Sequence, residues 1–140
     1  MTPALPPLTR LGAASCLAAS GVIHAQLYLH GYRALPGVGP AFLLQASGAL
    51  AVALLLTLTT TAVLQLAAAG LAAGALAGFI ASRTIGVFGF VEYGFQPAPQ
   101  AQISILVETA ALGLLAATLL ARIRRIHSTS PVVNTLMKRS

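Results

Sequence analysis

The chain has 140 residues; 57% are hydrophobic, 7% are charged and the mean hydropathy is +0.88. A soluble domain devotes roughly 25% of its residues to charge, so this composition excludes a water-coated globular enzyme, a disordered tail and a DNA-binding module. The net charge of +6 comes from eight Lys and Arg against two acids. Five of those bases (Arg122, Arg124, Arg125, Lys138 and Arg139) crowd the C-terminus. That is the pattern of a cytoplasmic anchor on anionic lipid rather than of a nucleic-acid surface.

A bilayer core ~30 Å thick is crossed by about 20 apolar helical residues. Four runs meet that length: residues 11–29, 41–58, 62–82 and 103–121. The first is too long for the core of a secretory signal and reads as a retained helix. It contains the single cysteine, Cys16, which reads as a small packing residue. The second run has Pro40 at its first turn, where a missing N–H costs nothing. The second and third are nearly continuous, and unbroken they would form a helix of about 63 Å, twice the core thickness. The β-branched stretch Thr57-Leu58-Thr59-Thr60-Thr61 places the break.

Lys and Arg counts orient the spans. With the N-terminus inside, the inner side holds Arg10, Arg122, Arg124, Arg125, Lys138 and Arg139 and the outer side only Arg33 and Arg83, so both termini are expected in the cytoplasm. Tyr28, Tyr32, Phe42, Phe88, Phe90, Tyr93 and Phe95 all map to the outer end, the level aromatic rings favour. The expected architecture is an all-α, up-down-up-down four-helix transmembrane bundle. Residues 1–10 form a cytoplasmic N-terminus, 11–127 a single membrane domain and 128–140 a basic cytoplasmic tail.

In lipid, helices associate through close packing and hydrogen bonds. The third span carries Gly70, Gly74 and Gly78 at four-residue spacing. The first carries Gly12, Cys16 and Ser20, with His24 one turn further. Each ladder lies on one helix face, and both are expected to be helix–helix contact faces, within the monomer or a homo-oligomer.

Ionisable groups inside a span are costly and mark partners or sites. His24 and Glu108 each lie about 9 Å below the outer helix ends, on helices that neighbour one another in such a topology. A direct or water-bridged hydrogen bond between them is expected, extended by Ser104 one turn from Glu108. Arg83 closes the third span, and Glu92 in the following loop is its expected partner. The cluster reads as a structural clamp or as a ligand- or proton-binding site. A metal site would use His24, His30 and Glu108, with Glu92 as a further donor. His24 and His30 diverge around the helix, which argues against convergence, so no metal and no cofactor is expected. His127 belongs to the opposite side of the membrane.

Phosphate loops, paired-Cys motifs, a nucleophile elbow and HExxH are missing from the sequence. The two acids, Glu92 and Glu108, with no Asp, are too few for the usual hydrolytic sites. A non-enzyme is expected.

The segment Ser82-Arg83-Thr84-Ile85-Gly86, followed by Gly89, Glu92 and Gly94, with Glu108 in the next span and His24 in the first, resembles small four-span membrane proteins common in actinobacteria. In that group a Ser-Arg-Thr-x-Gly ends the third span and a Glu sits in the fourth. The likeness runs chiefly from Ser82 to Glu108. Val87 and Phe88 stand where the group has a proline, and Gln102 or Ser104 where it has an acid. The resemblance implies the four-span layout and no particular activity. Small multidrug-type exporters are similar in size, but their membrane Glu lies in the first span.

Taken together, the residues describe a small non-enzymatic protein of the plasma (inner) membrane with a polar cluster in its outer half. Its expected roles are an accessory or assembly component, or a bundle that binds a small ligand or a proton. Its partners are the lipid bilayer and a homo-oligomer or larger membrane complex. A proton-coupled small-molecule transporter working as a homo-oligomer is the alternative.

Overall fold

A computed structural model describes residues 7–59 and 61–128. Among them the chain is all-α, with four helices: α1 (Pro7–Leu29), α2 (Val38–Leu58), α3 (Ala62–Thr84) and α4 (Gln100–Ser128). A short 3-10 turn, Tyr32–Ala34, precedes α2. The expectations for residues 1–6 and 129–140 lie outside the described residues.

Local chemistry sets the helix ends. Gly37, at φ 75°, turns the chain into α2, a conformation that only glycine adopts without steric cost. A side chain there would also collide with the Phe88 ring. Thr59 is extended (φ −148°, ψ 163°) and ends α2. Thr61 caps α3, its Oγ1 accepting from the Leu64 N–H at 3.3 Å, which satisfies one of the orphan donors of a helix start. At the far end of α3 the Gly86 N–H donates to Ala81 O at 2.8 Å, with Gly86 at φ 79°, as in a left-handed C-cap.

α1 packs against α2 and α4, and α3 packs against the same two helices. The half of the molecule at the threonine turn is solid. Its buried core is built from alanines such as Ala49, Ala53, Ala68 and Ala72, wedged between Leu17 and Leu56. Small side chains let backbones approach closely, which maximises van der Waals contact. One close approach is at Gly21 of α1, where a Cβ would stand 2.8 Å from Leu50 Cγ and 3.1 Å from Ala46 O of α2.

Within one chain the glycine stripe of α3 is not the helix–helix contact face; contact with a second copy is the other form of that expectation. A Cβ at Gly70, Gly74 or Gly78 would have no neighbour within 4 Å. The helix makes its contacts through Ala68 and Ala72 instead, each about 200° around the helix from Gly70. The core is already filled by alanine methyls, so the barest stripe of α3 faces open space. The ladder of α1 does run along a seam. A Cβ at Gly12 would stand 3.1 Å from Leu114 Cδ1 of α4, Cys16 packs against the core, and Ser20 is buried.

The exterior is apolar. Leu44, Leu54, Leu66, Ile80 and Leu106 are all largely exposed, and a surface of this kind belongs against lipid. Three helices are long and apolar enough to cross a membrane: Val38–Leu58, Ala62–Thr84 and Gln100–Ala121. α1 matches them in length, but its polar residues, His24 and Gln26 above all, lower its apolarity.

Gly21→Ala is expected to lower the melting temperature in detergent, since overpacking costs ~1–3 kcal/mol against a helix-propensity gain of ~1 kcal/mol. Gly70→Ala, with nothing to strike, is expected to leave the melting temperature unchanged or to raise it. Circular-dichroism melts of the two variants make the comparison.

Candidate functional site

The other half of the molecule, where the loop of residues 85–99 joins α3 to α4, is hollow. The boundary between solid and hollow is a polar layer. Glu108 of α4 is 2% exposed, and its Oε1 accepts two hydroxyl hydrogen bonds, from Ser20 of α1 at 2.8 Å and from Ser104 of α4 at 2.7 Å. Ser104 sits one turn away on the same face. Ser20 is the only one of the two that reaches across a helix seam.

His24 completes the layer, and of the direct or water-bridged bond expected to Glu108 the direct form is not made. Its Nδ1 is 4.0 Å from Glu108 Oε1, beyond hydrogen-bond range. Nδ1–H donates instead to Ser20 O at 2.9 Å, with Ser20 Oγ at 3.4 Å. Ser20 therefore stands between the imidazole and the carboxylate and links both. Helix α1 presents Ser20 and His24 four residues apart, so the nearer rung meets the acid first. The Phe42 ring of α2 packs beside His24, 5.2 Å between centroids.

A second polar group roofs the hollow. Arg83 donates from Nε to Gly94 O at 2.6 Å, from Nη1 to Ser82 Oγ at 2.7 Å and Phe79 O at 3.3 Å, and from Nη2 to Gln96 O. Nη2 also lies 3.4 Å from Glu92 Oε2. A guanidinium carries five N–H groups, and these contacts engage the whole fork. Its plane covers the Phe79 ring at 3.6 Å, a cation–π contact. Glu92 Oε1 accepts from the Tyr32 hydroxyl, and the Glu92 N–H donates to Ser82 O at 2.9 Å, tying the loop to α3. Tyr32 stacks on Phe42 and meets the edge of Phe90. Burial, and then the hydrogen bond and charge of Glu92, push the Tyr32 phenol above its ordinary value.

Between floor and roof lies a cavity of about 250 Å³ to which all four helices and the loop contribute. His24, Glu108, Ser104, Arg83 and Glu92 all line it, as do Gly74 and Gly78. An engineered apolar cavity of ~150 Å³ holds benzene, so this volume suits a molecule of one ring with a short side chain. The metal arrangement weighed above is not present. His30 is exposed, its Nδ1–H donating to Gln26 O at 2.7 Å, and among the described residues no group of three His, Cys, Asp or Glu is placed to hold an ion.

Sequence reasoning missed Ser20 as a site residue, because its four-residue spacing from Gly12 and Cys16 made it one more small packing residue. A signal was available: a hydroxyl one turn from a spanning His, on a helix expected to face a spanning Glu. Gln45 was also missed; it lines the cavity and donates from Nε2 to Leu71 O at 3.1 Å.

No family model, curated protein or solved structure matches this chain.

Ser20→Ala is expected to remove one of the two donors to a buried carboxyl, a loss of ~1–3 kcal/mol, seen as a lowered melting temperature. Ser47→Ala, whose hydroxyl bonds only its own helix at Leu43 O and Leu44 O, serves as the control without that loss. The raised Tyr32 pKa has a definite sign in alkali. Above the unfolded-chain value of about 10 the unfolded state sheds a proton that the folded state keeps, so stability falls as pH rises. Melts between pH 9 and 12 on the order of one pH unit apart are expected to show a steeper decline for the wild type than for Tyr32→Phe.

Proposed function

We propose that this chain is a small, non-enzymatic integral membrane protein that holds a small ligand in the cavity beneath its outer rim. The observation that carries this reading is the placement of Glu108. A carboxyl in an apolar bundle is expensive, and here it is set at the floor of a ring-sized cavity rather than sealed within the packed half. A purely structural clamp needs no hollow beside it.

The proposal includes four spans, with α1 as the first. Its costly groups, Ser20 and His24, turn inward to Glu108, while Leu8, Leu11, Val22 and Leu29 are exposed on its outside. A helix of 23 residues reaches about 35 Å, enough for the core. The Lys and Arg count supports both termini in the cytoplasm and the aromatic loop end outside, in the plasma membrane. The resemblance to the four-span actinobacterial group supports the same layout.

Two measurements test the reading. In a Cys16→Ala background, a cysteine at Tyr93 is expected to react with an impermeant maleimide on intact cells and one at Thr59 only after lysis; the reverse pattern would overturn the topology. Calorimetry of the purified protein is expected to show saturable binding of single-ring molecules that Gly78→Leu abolishes, since a side chain at Gly78 enters the cavity. Equal binding by both proteins would place the ligand elsewhere.

A further inference from the structure

The hydrogen-bonding capacity left inside the cavity is one-sided. Glu108 takes both serine hydroxyls on Oε1, and among the described residues nothing donates to Oε2. His24 gives Nδ1–H to Ser20 O, which leaves Nε2 of the neutral ring as a lone-pair acceptor with no protein partner among those residues. The donors, by contrast, are spent. The Ser20 and Ser104 hydroxyls are given to Glu108, the Ser82 hydroxyl to Phe79 O, and the Tyr32 hydroxyl to Glu92. The Arg83 fork is divided among Gly94, Ser82, Phe79, Gln96 and Glu92. One amide N–H of Gln45 goes to Leu71 O, and its second is the donor that remains. Arg83 and Glu92 neutralise each other at the roof, so the carboxylate form of Glu108 has no permanent cation beside it; His24, 4.0 Å from its Oε1, is one only when protonated. The side walls add Phe42, Phe79 and Phe90; Arg83 already covers one face of Phe79 and Tyr32 one face of Phe42, so these rings offer a guest apolar contact for its body.

From these atoms we infer that the cavity takes a small organic cation, a primary or secondary ammonium on an apolar body of about one aromatic ring. The ammonium donates to Glu108 Oε2 and His24 Nε2, and its body lies among the phenyl rings. An anionic ligand finds no free guanidinium N–H, because Arg83 is fully committed. The inference rests on the ligand-holding reading above and assigns its ligand class.

Full-length protein in detergent is titrated calorimetrically with three probes of one shape: 2-phenylethylammonium, 2-phenylethanol and 3-phenylpropanoate. The ammonium is expected to bind about tenfold or more tightly than the alcohol, the ratio that one hydrogen bond to a charged group supplies, and the carboxylate weakest of the three. Glu108→Gln is expected to erase that preference while alcohol affinity changes less than about twofold. Should that variant not fold, the wild type still reports: the ammonium is expected to shield Glu108 from a hydrophobic carbodiimide, read by peptide mass spectrometry against the same protein without ligand and with 2-phenylethanol in its place. Alcohol or carboxylate binding as tight as the ammonium, an indifferent Glu108→Gln, or unshielded Glu108 at saturating ammonium would overturn the cation assignment and leave a neutral-ligand site standing. Binding of none of the three would remove both the cation and the ligand-holding reading.

Discussion

A single buried carboxyl organises this molecule. Glu108 is 2% exposed, and an unmet carboxyl in apolar surroundings costs several kcal/mol on the order of a whole domain's margin of stability. Its Oε1 is met from two directions, by Ser104 within α4 and by Ser20 across the seam with α1. That second bond fixes the rotation of α1, because only one face of the helix can present Ser20 to α4 while Gly21 lies against Leu50 of α2. The same rotation then carries His24 into the hollow. On one side of this layer alanines close the bundle; on the other, rings and glycine backbone leave it open.

The roof follows from a similar constraint on backbone. A loop at the end of a membrane bundle carries carbonyls that must be satisfied. Arg83 supplies this from one side chain, taking Gly94 O, Gln96 O and Phe79 O while pairing with Glu92. The loop is held by a charge whose own field is cancelled within the roof. The hollow beneath is therefore left under the influence of Glu108 rather than of the nearby cation.

Much of this was legible in the sequence and some was not, for physical reasons. Apolar length alone marks α2, α3 and α4, and the threonine run ends α2 because β-branched hydroxyl residues leave the helix readily and cap the next one. Matching depths brought His24 and Glu108 to one level, since rise per residue is constant along a helix. Rotation is a different matter. A four-residue ladder defines a face but not what that face meets, so Gly70, Gly74 and Gly78 looked like a contact stripe although within one chain Ala68 and Ala72 make the contact. The same uncertainty in rotation hid Ser20 between the two ionisable groups. Gly21, where α1 comes close against α2, has no ladder of its own. Its role depends on Leu50, 29 residues away in the chain, and on nothing local.

The bare wall at Gly74 and Gly78 gives the bundle an adjustable gauge. Both residues border the cavity, and at neither would an added methyl meet another atom within 4 Å. Alanine is also the better helix former by ~1 kcal/mol. Variation at these two sites can shrink the interior in small steps without disturbing the alanine core, the polar floor or the arginine roof. A short mutational path thus leads from this chain to a smaller interior, and its roominess is kept only against the backbone's own preference.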